Sequence, residues 1–151
     1  IKDWEDHLST LFPEVRLKQF LEMRGADMGD EAHVNALPAL WVGLLYDDDV
    51  LEEAWQLVKD WSDEERQTLR DEVPRTAIHT PFRNGTVADI ARRVVELAAA
   101  GLYGRGKGEE AYLAPLIETL ELGKTSAERW LDKYNGEWAG DLSRIYGEYS
   151  Y

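Results

Sequence analysis

Cysteine is absent from this 151-residue chain, and that absence excludes several chemistries at once. No disulfide framework, thiolate metal site or thiol nucleophile can be built, and cysteine usage does not indicate a redox compartment. Long apolar runs are missing too. The longest, ALPALWVGLLY, is interrupted by Pro38 and Gly43 and falls well short of the roughly 20 residues that span a bilayer. Positive charge is scarce: 17 Lys and Arg face 30 Asp and Glu, a formal net charge of -13. The average surface therefore repels nucleic acid and anionic lipid, and only a local basic pocket would suit such partners. The expectation is a soluble chain in a cytoplasmic setting, with no nucleic-acid and no membrane partner.

What is present points to a folded domain. Hydrophobic residues make up 44% and charged residues 31%, with six Trp and seven Tyr, a composition too aromatic for a disordered chain. A chain of this length buries roughly 68–70% of its unfolded surface, enough for one core. The sequence opens at Ile1 with no Met and no signal-like segment, so a piece of a longer or processed polypeptide is expected.

From Val15 to Arg24 the residues alternate. Val15, Leu17, Leu21 and Met23 share one parity with Gln19, while Arg16, Lys18, Phe20, Glu22 and Arg24 share the other. That is the period of a strand, bounded by Pro13 and Gly25. The rest reads as about six helices: Ala36 to Tyr46, with Pro38 in its first turn; Asp48 to Trp61; one opened by Ser62 with Glu65 and ended by Pro74; Thr86 to Ala100, capped by Gly101; Glu110 to Leu122; and Ser126 to Tyr134 after Gly123. The fold class is α+β, predominantly helical. A lone strand cannot satisfy its own backbone groups, so its partner is expected in a further part of the chain, a short N-terminal neighbour, or a second copy paired across a two-fold axis.

Four constellations invite a chemical reading. Glu22 and Arg24 share a strand face with Arg16 and Lys18, and a carboxylate beside guanidinium groups suits Mg²⁺ and phosphate oxygens. The same pattern also describes a solvated sheet face with cross-strand ion pairs. GLYGRGKG, residues 101 to 108, approaches a phosphate loop through Gly101, Gly106 and Lys107. It departs at Gly108, where a hydroxyl is required, and follows a helix where a strand is required, so it reads as a helix cap and loop. His7, His33 and His79 lack metal-ligand spacing and read as surface or polar packing groups. Asp47, Asp48 and Asp49 lack the later positions of a calcium loop and read as helix-start acids.

The stretches HLSTLFPEVRLKQFLEMRGADMG and ALPALWVGLLYDDDVLEEAW, followed by VKDWSDEERQTLRDEVPRTA, TPFRNGTV and YNGEWAGDL, resemble the C-terminal region of plant-type and proteobacterial glutamate-cysteine ligases. The resemblance is collinear over nearly the whole chain and is most specific in FPEVRLKQFLEMRGAD. It implies an ATP-dependent ligase joining the glutamate γ-carboxylate to the cysteine amine through γ-glutamyl phosphate, the first step of glutathione biosynthesis. ATP is then a substrate and Mg²⁺ a cofactor, on a curved antiparallel sheet of the glutamine-synthetase-like type. By resemblance Glu22 is a Mg²⁺ ligand and Arg24 contacts the transferred phosphate, with Leu21 and Met23 turned to the helical backing.

The chain departs from the family pattern twice. Met28 stands where relatives read GADGG, and Asn35 stands where plant enzymes carry a cysteine that forms a regulatory disulfide. The other metal, nucleotide and amino-acid contacts of such enzymes lie upstream of these residues. The expectation is therefore a single C-terminal helical region, 1–151, of a larger catalytic domain, inactive alone and prone to self-association through its strand. The alternative is a non-catalytic acidic helical module that binds a protein through the Trp41 to Trp61 region or an exposed strand edge.

Overall fold

A computed structural model describes residues 2–9, 13–27 and 29–148. Helix α1, Lys2–Ser9, precedes a hairpin of β1, Val15–Leu17, and β2, Leu21–Met23. Helices α2 (Glu31–Leu45), α3 (Asp48–Val58) and α4 (Asp63–Thr76) follow. A second small hairpin, β3 (Pro81–Phe82) and β4 (Gly85–Thr86), leads into the longest helix, α5, Val87–Gly104. Helices α6 (Ala114–Leu122), α7 (Ser126–Asn135) and α8 (Ile145–Glu148) complete the chain, with 3-10 turns before α5, α6 and α8. The described residues are thus mostly helical with two separate two-stranded antiparallel sheets, which is the expected α+β class.

The core forms where α2 crosses α5. Ala98, Leu102 and Leu113 are fully buried there, and Leu44, Val50, Val95 and Leu120 pack around them. Glycine permits the close approach: a Cβ on Gly43 would run into the carbonyl of Ala98, and one on Gly101 into the carbonyl of Gly43. Gly101 was expected as a helix cap. It is instead an interior contact residue, and α5 continues for three more residues to Gly104, because burial against α2 outweighs the ~1 kcal/mol helix penalty of glycine.

Helix starts follow the capping rules more closely than helix stops. Ser62 and Glu65 bond reciprocally at the start of α4, as do Thr125 and Glu128 at α7, satisfying backbone donors that lack helical partners. Asp47 accepts from the N–H groups of Asp49 and Val50 at α3. Gly123, at φ +65°, ends α6. Two proline expectations fail. Pro38 is interior to α2, which begins seven residues earlier at Glu31, so the Val34 carbonyl has no helical donor at that position. Pro74 does not stop α4; it forfeits one late backbone bond, and the Thr76 hydroxyl donates to the Glu72 carbonyl in the final turn.

The continuous strand expected over 15 to 24 is corrected to a hairpin. Val15 pairs with Met23, Arg16 with Glu22 and Leu17 with Leu21, while the Lys18 N–H donates to the Phe20 carbonyl at 2.9 Å inside the reversal. Each pair joins residues of like parity, so the alternation survives the turn and conceals it. Lys18, Gln19 and Phe20 include no Gly, Pro, Asn or Asp, the residues that announce turns. The strand therefore finds its partner in its own continuation, and pairing across a two-fold axis is not supported. The expected one-residue change at Met28 lies outside the described residues.

Candidate active-site hairpin

The hairpin register decides what Glu22 touches. Placing Arg16 opposite Glu22 brings the Arg16 Nε to 2.7 Å from Glu22 Oε2, with about a third of each side chain exposed. The cross-strand ion pair weighed from the sequence is therefore present. That hydrogen bond is the largest influence and, with the charges of Arg16, Lys18 and Arg24, holds the Glu22 carboxyl below its ordinary range, against an opposing effect of burial that outweighs any one of those charges. Glu22 is consequently ionised wherever the hairpin is folded at neutral pH.

Arg24 continues the same parity just beyond β2. Its backbone N–H donates to the Glu14 carbonyl at 2.9 Å, and its half-buried side chain contributes to the field at Glu22. Lys18 lies in the exposed turn, so the group on the strands and just after them is Arg16, Glu22 and Arg24. The opposite face is less sheltered than expected. Leu17 is 79% and Leu21 57% exposed, and only Met23 is half-buried. Packing of Leu21 on a helical backing is thus not observed among the described residues; α2 and α5 bury their apolar stripes against each other instead.

One carboxylate does not make a complete metal site. Among the described residues no group of three or more His, Asp or Glu is placed to hold a metal ion. Mg²⁺, however, keeps several waters and binds through one or two carboxylates plus substrate phosphates. The hard, ionised oxygen of Glu22 fits one such position, and the guanidinium of Arg24 fits a phosphate oxygen.

The remaining candidates take structural roles. The His33 ring contacts Asp30 at 2.7 Å, and His79 bonds the Gly123 carbonyl at 2.9 Å, while His7 lies on α1 beside Trp4. GLYGRGKG forms the end of α5 and a turn with Gly106 at φ +66° and Gly108 at φ +71°. Arg105 bonds Glu109 across that turn at 2.7 Å, and a helix, not a strand, precedes it.

Sequence reasoning missed Arg83. It sits at φ +50° in the tight turn between β3 and β4, donates to both carboxylate oxygens of Glu65 and reaches the Asp60 carbonyl. The two-residue Arg83–Asn84 reversal before Gly85 was the available hairpin signal.

The profile of glutamate-cysteine ligase family 2 matches residues 1–148. A chloroplastic glutamate-cysteine ligase of Brassica juncea is 48% identical over 99% of this chain and 29% of its own length. That of Arabidopsis thaliana is 49% identical over 99% of this chain and 28% of its own, and that of Solanum lycopersicum 46% identical over all of this chain and 29% of its own. The chain thus spans under a third of the length of these relatives. Their names place them in the chloroplast, which overturns the cytoplasmic expectation; net charge and an absence of cysteine do not distinguish one aqueous compartment from another.

Proposed function

The chain belongs to glutamate-cysteine ligase family 2, and from that membership we propose that it forms the C-terminal part of an ATP-dependent ligase making γ-glutamylcysteine, the first intermediate of glutathione biosynthesis. In this reaction an oxygen of the glutamate γ-carboxylate attacks the terminal phosphorus of ATP and ADP leaves. The cysteine amine then attacks the acyl carbon of γ-glutamyl phosphate, losing a proton as phosphate departs.

The observation that carries the reading is the Arg16, Glu22 and Arg24 group on one hairpin of a family member. Glu22 supplies a metal-binding oxygen held ionised and oriented by Arg16. Arg24 neutralises charge on the phosphoryl group during transfer, a role suited to a planar, permanently charged guanidinium. Bound Mg²⁺ would screen the phosphate charges and align them for transfer. Fixed charges of this kind need no reorganisation when the acyl phosphate forms.

In the same reading the hairpin belongs to a larger, glutamine-synthetase-like sheet, and residues 31–148 form its single helical backing region. The missing neighbours of that sheet would cover Leu17 and Leu21. By itself this chain lacks most substrate contacts and is inactive. The test is ADP release by the longest natural polypeptide containing this sequence, with Mg²⁺, glutamate and cysteine. Release requiring both amino acids and collapsing in Glu22→Gln supports the reaction and the metal role together. Turnover unaffected by Glu22→Gln removes the site assignment, and no turnover by the intact polypeptide removes the ligase.

A further inference from the structure

A concavity of the molecule is lined by none of Arg16, Glu22 and Arg24. The start of α2, the end of α4 and helices α6, α7 and α8 enclose a cleft of about 1040 Å³, a size in the range of small-molecule sites. Its middle is apolar, with Ile78, Leu116 and Trp130 among the lining side chains. Among the described residues its charged lining is Asp27, Asp30 and His33, the His33 ring lying 2.7 Å from Asp30, and no Lys or Arg contributes.

Two helix starts border the cleft, and each carries a side-chain cap. Asp30 accepts the His33 N–H at 3.0 Å at the start of α2. The Thr125 hydroxyl accepts the Glu128 N–H at 3.3 Å at the start of α7, with the Glu128 carboxylate closing the box. The acidic side chains Asp30 and Glu128 at these ends oppose the positive pole of each helix, and with Asp27 and no Lys or Arg in the lining the charge balance there leans toward a cation.

One wall depends on a clasp. Ile145 and Tyr146 of α8 line the cleft, but Tyr146 is 80% exposed, so packing contributes little to holding it. Glu148 holds this short helix instead, accepting from Lys133 Nζ at 2.6 Å and Trp138 Nε1 at 2.7 Å.

We propose that this cleft binds a small organic cation with an apolar body, an arylalkyl ammonium in class, with its ammonium group at Asp27 and Asp30 and its apolar part between α4, α6 and α7. The proposal goes beyond the ligase reading and does not rest on it. Three probes of one shape and different charge test it on the intact polypeptide containing this chain: phenylethylammonium, 2-phenylethanol and phenylacetate.

Calorimetric titration is expected to rank the ammonium at least about tenfold above the carboxylate, since opposite charges feel the same acidic lining with opposite sign. Hydrogen exchange should slow in residues 73–78 and 126–130, which separates this cleft from any amine pocket of the ligase itself. Asp27→Asn, an exposed loop change, is expected to weaken the ammonium about fivefold and leave the alcohol unchanged. Glu148→Ala should speed exchange in residues 142–148 and weaken both. Equal binding of all three probes, preference for phenylacetate, or protection confined to segments outside the cleft would overturn the proposal.

Discussion

The α2/α5 crossing and the β1/β2 hairpin use their apolar residues in opposite ways. At the crossing, glycine lets two backbones touch, and Ala98 and Leu102 lose all contact with solvent. In the hairpin, Leu17 and Leu21 stand mostly exposed while the charged face is ordered by one short ion pair. The first region is complete within this chain. The second has an ion-paired polar face and an exposed apolar one.

That difference can be broken most severely at the crossing. Gly101→Val places a side chain where the Gly43 carbonyl lies, and about 3 kcal/mol or more of stability should be lost, as in severe overpacking. Chemical denaturation of the 151-residue chain measures it, and a loss below about 1 kcal/mol would show that the helices separate easily. Glu22→Gln should act in the opposite manner. It is expected to lower ADP release by the intact enzyme about 100-fold or more, the scale of losing a fixed electrostatic group, while the unfolding midpoint of the 151-residue chain hardly moves.

Capping gives a smaller effect. Thr125→Ala removes the hydroxyl that accepts from Glu128 and should cost about 1 kcal/mol, seen as a thermal shift of roughly 2–4 °C for a chain of this size. Leu17→Ser should change the stability of this chain by no more than about 0.5 kcal/mol, because its side chain is already in solvent. The same substitution in the intact enzyme should cost more if a sheet covers that face; equal effects in both would remove the comparison.

The pH dependence of the Arg83 lock provides the finest test. Hydrogen bonds from Arg83, then from the Ser62 N–H, lower the Glu65 pKa from 4.5 to about 2. A depressed carboxylate stabilises the fold fully above its unfolded pKa and loses that contribution as pH falls through the folded value. The urea midpoint should therefore drop between pH 4.5 and about 2. The drop should be shallower in Arg83→Met, where the Ser62 bond alone remains.

Much of the helical part was legible because its signals are local. Ser62 with Glu65, Thr125 with Glu128, and Asp47 before its helix each place an acceptor within reach of the next turn's donors, which sequence spacing specifies. Stops were less legible: Gly101 and Pro74 carry the residue types of helix ends, but their effect depends on what packs beside them. Glu22 and Arg24 were singled out as neighbours in parity; Arg16 as the group that orients Glu22 required knowing where the chain turned back.

The sequence by itself determined the helical, acidic, cysteine-free character of this protein, its family and the common parity of Arg16, Glu22 and Arg24. These depend on composition, motif and periodicity, which need no distant contacts. Tertiary structure alone decided that residues 15–23 form a hairpin, that Gly43 and Gly101 meet, and that an acidic, apolar cleft opens beside α7. The physical reason is common to all three. Turn direction, backbone approach and enclosed volume arise between residues distant in sequence, where burial and steric exclusion outweigh local preference.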